Sequence, residues 1–486
     1  MSRFEELNKS FINGEWVEGE SSRTYDITDP YDNSVITTVK LATAEQLKET
    51  FKIAEKAQKE WAKSTAEQRR EILRKVLEYY KQNHDEIVKV IVRESGSTIL
   101  KGNIELAITY DELEAAIQSA GELDEVRTIP AQIPGKENYI HRLPLGVISS
   151  ITPFNFPTNL SMRTIAPAIA LGNAVVHKPD IQVGLTGGQI IAKAFEYAGL
   201  PKGVFNSILT DLDEIGDGML DNPIPRLISF TGSTAVGRHI GKIAGENLKR
   251  VALELGGNGP LVVLSDADVD QAVDAAIFGK FVHNGQICMI TNRIIVHKHK
   301  YDEFVEKFVA KTKTLKVGDP KDPSTVIGPI INERQAEKVL GFVQQAKEDG
   351  LKLALEGKRE GNVISPFVFI DVPNDSTLAQ TEIFGPVAQI IPAETDEQAI
   401  EFANDTEYGL SSAIFTADLE KGHELALQID AGMTHINDQT VNAQADVAFG
   451  GNKASGLGRF SHPWIVEEFT VTKWVSAQKQ PRQFPF

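Results

Sequence analysis

The only cysteine of this 486-residue chain, Cys288, lies in the string NGQICMITNR at 284–293. A lone cysteine packs most simply as a small buried hydrophobe. To act on a carbonyl as a nucleophile, the same thiol needs activation, a donor for the oxyanion that forms and, for hydrolysis, a base. The preceding helical pattern VDQAVDAAIFGKFVHNG ends on an Asn-Gly of the kind that closes helices, which puts Cys288 in a loop or at the start of a new element, where a thiol is accessible. His283 is the local base for a thiol hydrolase, although no other histidine marks a matching constellation.

A second chemistry, phosphate binding, is suggested by SFTGSTAVGRHIGKIAG at 229–245. An apolar strand runs into Gly232, Ser233 and Thr234 can cap a helix, and Gly237 and Gly241 keep its first turns slim. A helix N-terminus with free N–H groups beside a hydroxyl can cradle a pyrophosphate. The string is neither the G-x-G-x-x-G fingerprint nor the G-x-x-x-x-G-K-[ST] loop, because Arg238 stands where the latter needs lysine. An ordinary strand–turn–helix is equally open.

From Gly146 onward, short apolar runs at 146–152, 173–179, 203–209, 226–232 and 250–256 alternate with helical stretches near 158–170, 184–198, 212–221 and 233–247. This alternation predicts a parallel sheet with crossover helices. Ligands of such sheets bind beyond the carboxyl ends of the strands, and those ends carry Asn155, Lys178, Ser233 and Glu254. The first third of the chain is predicted as packing helices, since 43–64 and 65–96 repeat apolar residues every three or four positions, with Leu73, Val76, Leu77 and Tyr80 on one stripe. A second alternating region, running to about residue 435, predicts a second α/β domain. The segment 126–146 reads as a hairpin closed by Pro-Gly, and 469–478 alternates like a strand. Neither fits a wound sheet, so both are expected to pair between subunits.

Composition narrows the partners. A chain of 486 residues exceeds the size at which one core stops growing, so two or three domains are expected. With 41% hydrophobic and 24% charged residues it has material for large cores and is not a disordered chain. A formal net charge of −17 opposes non-specific contact with nucleic acid or anionic membranes, which leaves a small molecule as the expected partner. One cysteine allows no internal disulfide, no run of 18 apolar residues occurs, and the opening MSRFEELNKSFINGEW lacks a basic stretch followed by an apolar core. A cytoplasmic location is expected.

Several strings, taken together, resemble the motifs of the aldehyde dehydrogenase superfamily in order and spacing: PFNFP (153–157), HKPD (177–180), FTGSTAVG (230–237), LELGGNGP (253–260), NGQIC (284–288), EIFGPV (382–387) and FGGNKASGLGR (449–459). The resemblance covers nearly the whole chain. It implies an α/β fold with a Rossmann-type cofactor domain at 1–125 and 146–254 together with part of 446–468, an α/β catalytic domain at 255–445, and a small β oligomerisation element at 126–145 and 469–486. It also implies NAD(P)-dependent oxidation of an aldehyde to the acid, with NAD the expected cofactor, NADP open, no metal, and assembly as a homodimer or homotetramer.

Residue by residue, Cys288 matches the family nucleophile, which forms a thiohemiacetal and then a thioester. Asn155 matches the amide that holds the oxyanion with the Cys288 N–H, and Glu254 matches the general base that activates water. Lys178 matches the lysine at the adenosine ribose, Gly232 and Ser233 the pyrophosphate contact, and Glu382 with Phe384 the nicotinamide-ribose anchor and its packing partner. Thr152, Pro153, Phe154 and Leu255 complete the implied cofactor set. Phe154 stands where many relatives have tryptophan. Ile181 stands where many NAD-preferring relatives have a glutamate that chelates the ribose hydroxyls, with Asp180 one residue earlier.

The string HINDQTVNAQADVAFGGNKASGLGRF, with HKPDIQ, is most similar to the benzaldehyde, vanillin and salicylaldehyde dehydrogenase branch. Phe156, Leu160 and Arg163 fall at i, i+4 and i+7 on one stripe of the helix starting beside Asn155, and Phe449 lies where relatives line the substrate tunnel. The guanidinium on this stripe needs a partner, either a carboxylate of the fold or a polar substituent of a substrate ring. Aromatic aldehydes are the expected substrates, with aliphatic aldehydes or semialdehydes as the alternative. A thiol hydrolase or a non-catalytic relative is the distant one.

Overall fold

The N-terminal helices start where polar side chains satisfy free N–H groups. In the computed structural model, which describes residues 2–486, Thr43 with Gln46 and Thr65 with Gln68 form capping boxes at the heads of Ala44–Trp61 and Ala66–Gln82. The pattern read across 65–96 is two helices, because Asn83, at φ −113°, ends one and begins the next, His84–Ser95. Ile99–Ser119 follows. Ahead of these helices the chain is extended: Ser10–Ile12 and Glu15–Val17 form a hairpin that joins the edge of the main sheet through Phe11 beside Ser207. Strands of three residues are too short to show a period in sequence.

The main sheet has Val147–Thr152 at its centre. Ala174–Pro179 and then Phe205–Ser207 lie on one side, Leu227–Thr231 and then Arg250–Glu254 on the other, all parallel. Nearly every residue of these strands is buried, which is why they read as apolar runs rather than alternating ones. The winding reverses at Val147–Thr152, so a crevice opens between its carboxyl end and that of Leu227–Thr231, where wound sheets bind ligands. Two of the expected crossover helices differ in detail: 184–198 begins as a π-turn, Leu185–Gln189, before Ile190–Ala198, and 212–221 is two single turns, Leu212–Ile215 and Gly218–Asp221.

The second sheet runs Lys352–Leu355, Phe367–Ile370, Val387–Ala393, Thr291–His297, Gly259–Val263, Ser411–Phe415, Met433–Ile436, and every pair except the first is parallel. The chain then returns to the first sheet, where Gly456–Leu457 pairs antiparallel with Arg250–Glu254.

The hairpin at Val126–Ile129 and Lys136–Pro144 is present, and the tail strand Thr470–Gln478 lies antiparallel to Lys136–Pro144 from Thr470 beside Pro144 to Gln478 beside Lys136. They pair with one another in one chain, because the tail supplies an unbroken strand as long as its partner. Among the described residues no helix is long and apolar enough to cross a membrane.

Candidate active site

Cys288 is presented by a tightly held turn. The preceding helix, Val269–Phe281, stops earlier than its sequence pattern suggests, and His283, Asn284 and Gly285 follow with positive φ values of 49°, 58° and 78°. A Cβ on Gly285 would fall 2.3 Å from the Gly385 carbonyl oxygen, so only glycine fits there. Asn284 donates to the Pro329 carbonyl at 2.7 Å and accepts from Gly328 N–H at 2.6 Å, while Gln286 accepts from Ile331 N–H at 3.0 Å. The thiol itself is half-buried, against the apolar cluster that includes Phe156, Leu160, Phe449 and Phe460. Burial and the neighbouring Glu254 push it up to about 12, partly offset by the Arg163 guanidinium.

Asn155 reaches the crevice just beyond Val147–Thr152. Its Nδ2 donates to the Gln286 carbonyl at 3.0 Å, tying the amide to the turn of Cys288, and its Oδ1 accepts from Phe156 N–H at 3.1 Å. The second Nδ2 hydrogen is left for another acceptor. Glu254 ends its strand with 1% exposure, and neither carboxylate oxygen has a hydrogen-bond partner among the described residues. Burial raises it to about 7, against the pull of Arg163 and Arg459. A Cβ on Gly257, three residues on, would lie 2.2 Å from the Cys288 carbonyl oxygen, so the loops carrying base and thiol meet main chain to main chain.

Most of the implied cofactor residues lie at or just beyond the carboxyl ends of the main-sheet strands. Lys178 is buried near the end of its strand with no hydrogen-bond or ion-pair partner among the described residues, and burial lowers its pKa. Such an ammonium fits a hydroxyl-rich or anionic group. Ser233 caps the helix Thr234–Glu246 and is exposed, and Gly232 N–H donates to the Glu254 carbonyl at 2.9 Å. Phe154 and Phe384 stand edge to face at 6.1 Å. Glu382 accepts from Gly257 N–H at 2.9 Å, and burial raises it to about 7. Thr152 bonds Ser161 through its hydroxyl at 2.8 Å, and Leu255 packs over Gly237. Asp180 is engaged as a cap, accepting from Gln182 N–H at 3.0 Å.

Phe156, Leu160, Arg163 and Phe449 are all buried. Arg163 lies between two rings, 4.3 Å from the centroid of Phe449 and 4.8 Å from that of Phe460. It forms no salt bridge within 4 Å among the described residues, and its Nε has no hydrogen-bond partner. Its charge nonetheless acts on Cys288, Glu254 and Glu112, the last raised to about 7 by burial.

The model of the aldehyde dehydrogenase family matches residues 16–475. The chain belongs to that family. AldY of Bacillus subtilis (strain 168), named only as an aldehyde dehydrogenase, is 67% identical over 483 residues, covering 99% of this chain and 100% of AldY. The benzaldehyde dehydrogenase YfmT of the same organism is 44% identical over 486 residues, covering 100% of each chain. A crystal structure of an NAD-dependent benzaldehyde dehydrogenase from Corynebacterium glutamicum superposes with a TM-score of 0.90 at 40% identity, covering 99% of this chain and 98% of that one.

The protein is thus an NAD(P)-dependent aldehyde dehydrogenase, with the α/β fold of that family. Histidine chemistry at the thiol has no geometric support: His283 is fully buried, neither ring nitrogen has a partner, and its ring stands against Phe156 at 6.0 Å. Sequence reasoning did not single out Phe460, Arg459 or Gln286. The first two sit in the quoted GLGRF string and Gln286 within NGQIC, but only the fold brings the ring onto Arg163 and the Gln286 carbonyl onto Asn155.

Proposed function

We propose that this aldehyde dehydrogenase oxidises aromatic aldehydes of the benzaldehyde and vanillin type, with NAD as cofactor. The observation that carries the substrate class is Arg163 held between Phe449 and Phe460, in a site it shares electrostatically with the thiol and with Glu254. Flat apolar faces suit a ring, and a guanidinium with a free N–H suits a ring oxygen. The benzaldehyde dehydrogenases among the relatives support the same reading.

In this proposal Cys288 Sγ attacks the carbonyl carbon, and the free Asn155 Nδ2 hydrogen and the Cys288 N–H bind the oxyanion of the thiohemiacetal. The thiol holds its proton tightly, and the Glu254 carboxylate, which titrates near neutrality, accepts it. The nicotinamide cofactor, when bound, supplies the hydride acceptor, which leaves a thioester on Sγ. Glu254 passes that first proton to solvent, then takes a proton from the water that attacks this thioester and returns it to the departing Sγ, releasing the acid and restoring the thiol.

For the cofactor, Gly232 and Ser233 would hold the pyrophosphate at a helix N-terminus, Lys178 the adenosine ribose and Glu382 the nicotinamide ribose, with Thr152, Pro153, Phe154, Leu255 and Phe384 packing around it. Ile181 carries no carboxylate to repel a 2′-phosphate and Asp180 spends one carboxylate oxygen on its cap, so NADP is expected to support turnover as well. We assign cofactor binding to 1–125 and 146–254 with part of 446–468, and catalysis to 255–445. Residues 126–145 and 469–486 form the surface of a homodimer or homotetramer. Val126, Ile129, Leu143, Trp474 and Val475 are exposed on that sheet, and Thr470–Gln478 is one of its edges. A cytoplasmic location suits a chain whose single thiol can form no internal disulfide.

The test is a panel of benzaldehyde, vanillin, salicylaldehyde, propanal and succinic semialdehyde, each with NAD and NADP, followed by nicotinamide absorbance. The aromatic substrates should show the higher kcat/KM. Preference for propanal or the semialdehyde would overturn the assignment.

A further inference from the structure

The helix that follows Asn155 has no cap of its own. Pro157–Ala170 has Phe156 at its N-cap, which offers no side-chain acceptor to the free N–H groups of the first turn. Those groups are satisfied from a different helix. Glu105, in Ile99–Ser119, accepts through Oε1 from Thr158 N–H at 2.8 Å and from Asn159 N–H at 3.3 Å. Its Oε2 is ion-paired with Lys101 one turn earlier, and both side chains are fully buried. The Lys101 ammonium in turn stands 4.1 Å from the centroid of the Phe156 ring.

The two charged residues therefore grip the chain immediately after Asn155, one by the Phe156 ring and the other by the first helical turn. A buried ion pair adds little stability over an apolar pair of the same volume, so its effect here is better sought in geometry. Asn155 is fixed from its other side by Gln286, two residues before the thiol. Movement of the helix head would be passed directly to the Asn155 amide, and a displacement of about 1 Å in a catalytic group can cost roughly a hundredfold in rate.

We infer that Glu105, held by Lys101, is a positioning residue for aldehyde oxidation: it supplies the missing cap of the helix Pro157–Ala170 and so fixes the Asn155 amide over the turn of Cys288. The inference rests on the reading of Asn155 as the oxyanion donor. Glu105 touches neither substrate nor cofactor in this account, and its effect passes through Asn155 alone.

The test is a double-mutant cycle on the full chain, with the pre-steady-state rate of NADH formation from benzaldehyde as readout. Glu105→Gln keeps the size of the side chain and removes its charge. It should slow NADH formation roughly three- to tenfold in the parent chain, by weakening the charge-assisted cap, with KM for NAD within about twofold. In the Asn155→Ala background the same change should slow it by less than about twofold, since the group through which it acts is gone. Should Glu105→Gln not fold, Glu105→Asp keeps the charge facing Lys101 while drawing the carboxylate back from the Thr158 N–H, and the same pair of outcomes is expected. An equal slowing in both backgrounds would show general damage and overturn the inference, as would an unchanged rate in the parent chain. Normal NADH formation in Asn155→Ala itself would instead overturn the assignment of the oxyanion donor, a separate and distinguishable failure.

Discussion

Replacing Arg163 with methionine separates recognition of the substrate ring from support of the fold. The guanidinium is 4% exposed, forms no salt bridge among the described residues and leaves Nε without a partner, so a ring hydroxyl or methoxy oxygen is free to accept from it. Losing one charge-assisted hydrogen bond costs about 1.5–3 kcal/mol, which lowers kcat/KM for vanillin and salicylaldehyde roughly ten- to a hundredfold. Benzaldehyde has no ring oxygen and should lose less than about threefold, because the methionine stem and sulfur still pack on Phe449 and Phe460. The charge has a second readout. Arg163 holds the pKa of Glu254 down, so its removal lets that pKa rise further above the ordinary carboxylate range. Glu254 acts deprotonated, so the acid limb of thioester hydrolysis should move to higher pH from its place near 7. Steady-state kinetics on the three aldehydes, a pH profile of deacylation and Tm measured alongside decide the matter. Equal losses on all three substrates, with the acid limb unmoved, would refute the reasoning.

Other expectations follow from the same geometry. Cys288→Ala should form no NADH while still binding NAD in a calorimetric titration, since the thiol contributes nothing to the ribose and phosphate contacts; measurable turnover would refute its assignment as nucleophile. Glu254→Gln should release about one NADH per site and then stall, with steady-state turnover down roughly a hundredfold or more, and normal deacylation in rapid-quench samples would count against its role. Without cofactor, alkylation of Cys288 by iodoacetamide should keep accelerating as pH rises well past 9, because burial keeps the thiol protonated; a plateau reached near neutrality would contradict the raised pKa. Light scattering should give a multiple of 53.3 kDa, and a monomer at that mass would remove the proposed role of the three-stranded sheet.

Much of this was legible in the sequence, for identifiable reasons. The five parallel strands of the main sheet are buried on both faces, so their apolar runs stand out between helices, and the residues at their carboxyl ends lie along one edge of the sheet. Elements too short for a period, such as Ser10–Ile12 and Glu15–Val17, were not legible, nor was the break at Asn83, where an uninterrupted apolar spacing hides a change of direction. Pairing partners were equally hidden: nothing local to Thr470–Gln478 says that its mate is Lys136–Pro144 in the same chain. At the site, motif strings name the thiol, amide and carboxylate. Lys101 and Glu105 look in sequence like the solvated face of a surface helix, and only the packing of Ile99–Ser119 against Pro157–Ala170 shows them buried.

The contact at Gly257 bears on how such an enzyme can diversify. The spacing between the carboxylate and the thiol is set where a side-chain-free residue lets one loop rest on the carbonyl of the other, and this joint uses peptide atoms that every sequence shares. The proposed walls around the substrate are built of side chains: Phe156, Leu160 and Arg163 from one helix, Phe449 and Phe460 from the returning chain. Selection can exchange these walls one residue at a time without moving the two reacting groups relative to each other. New specificities are open to point mutation, whereas adding even one methyl group at Gly257 would push the two halves of the reaction apart.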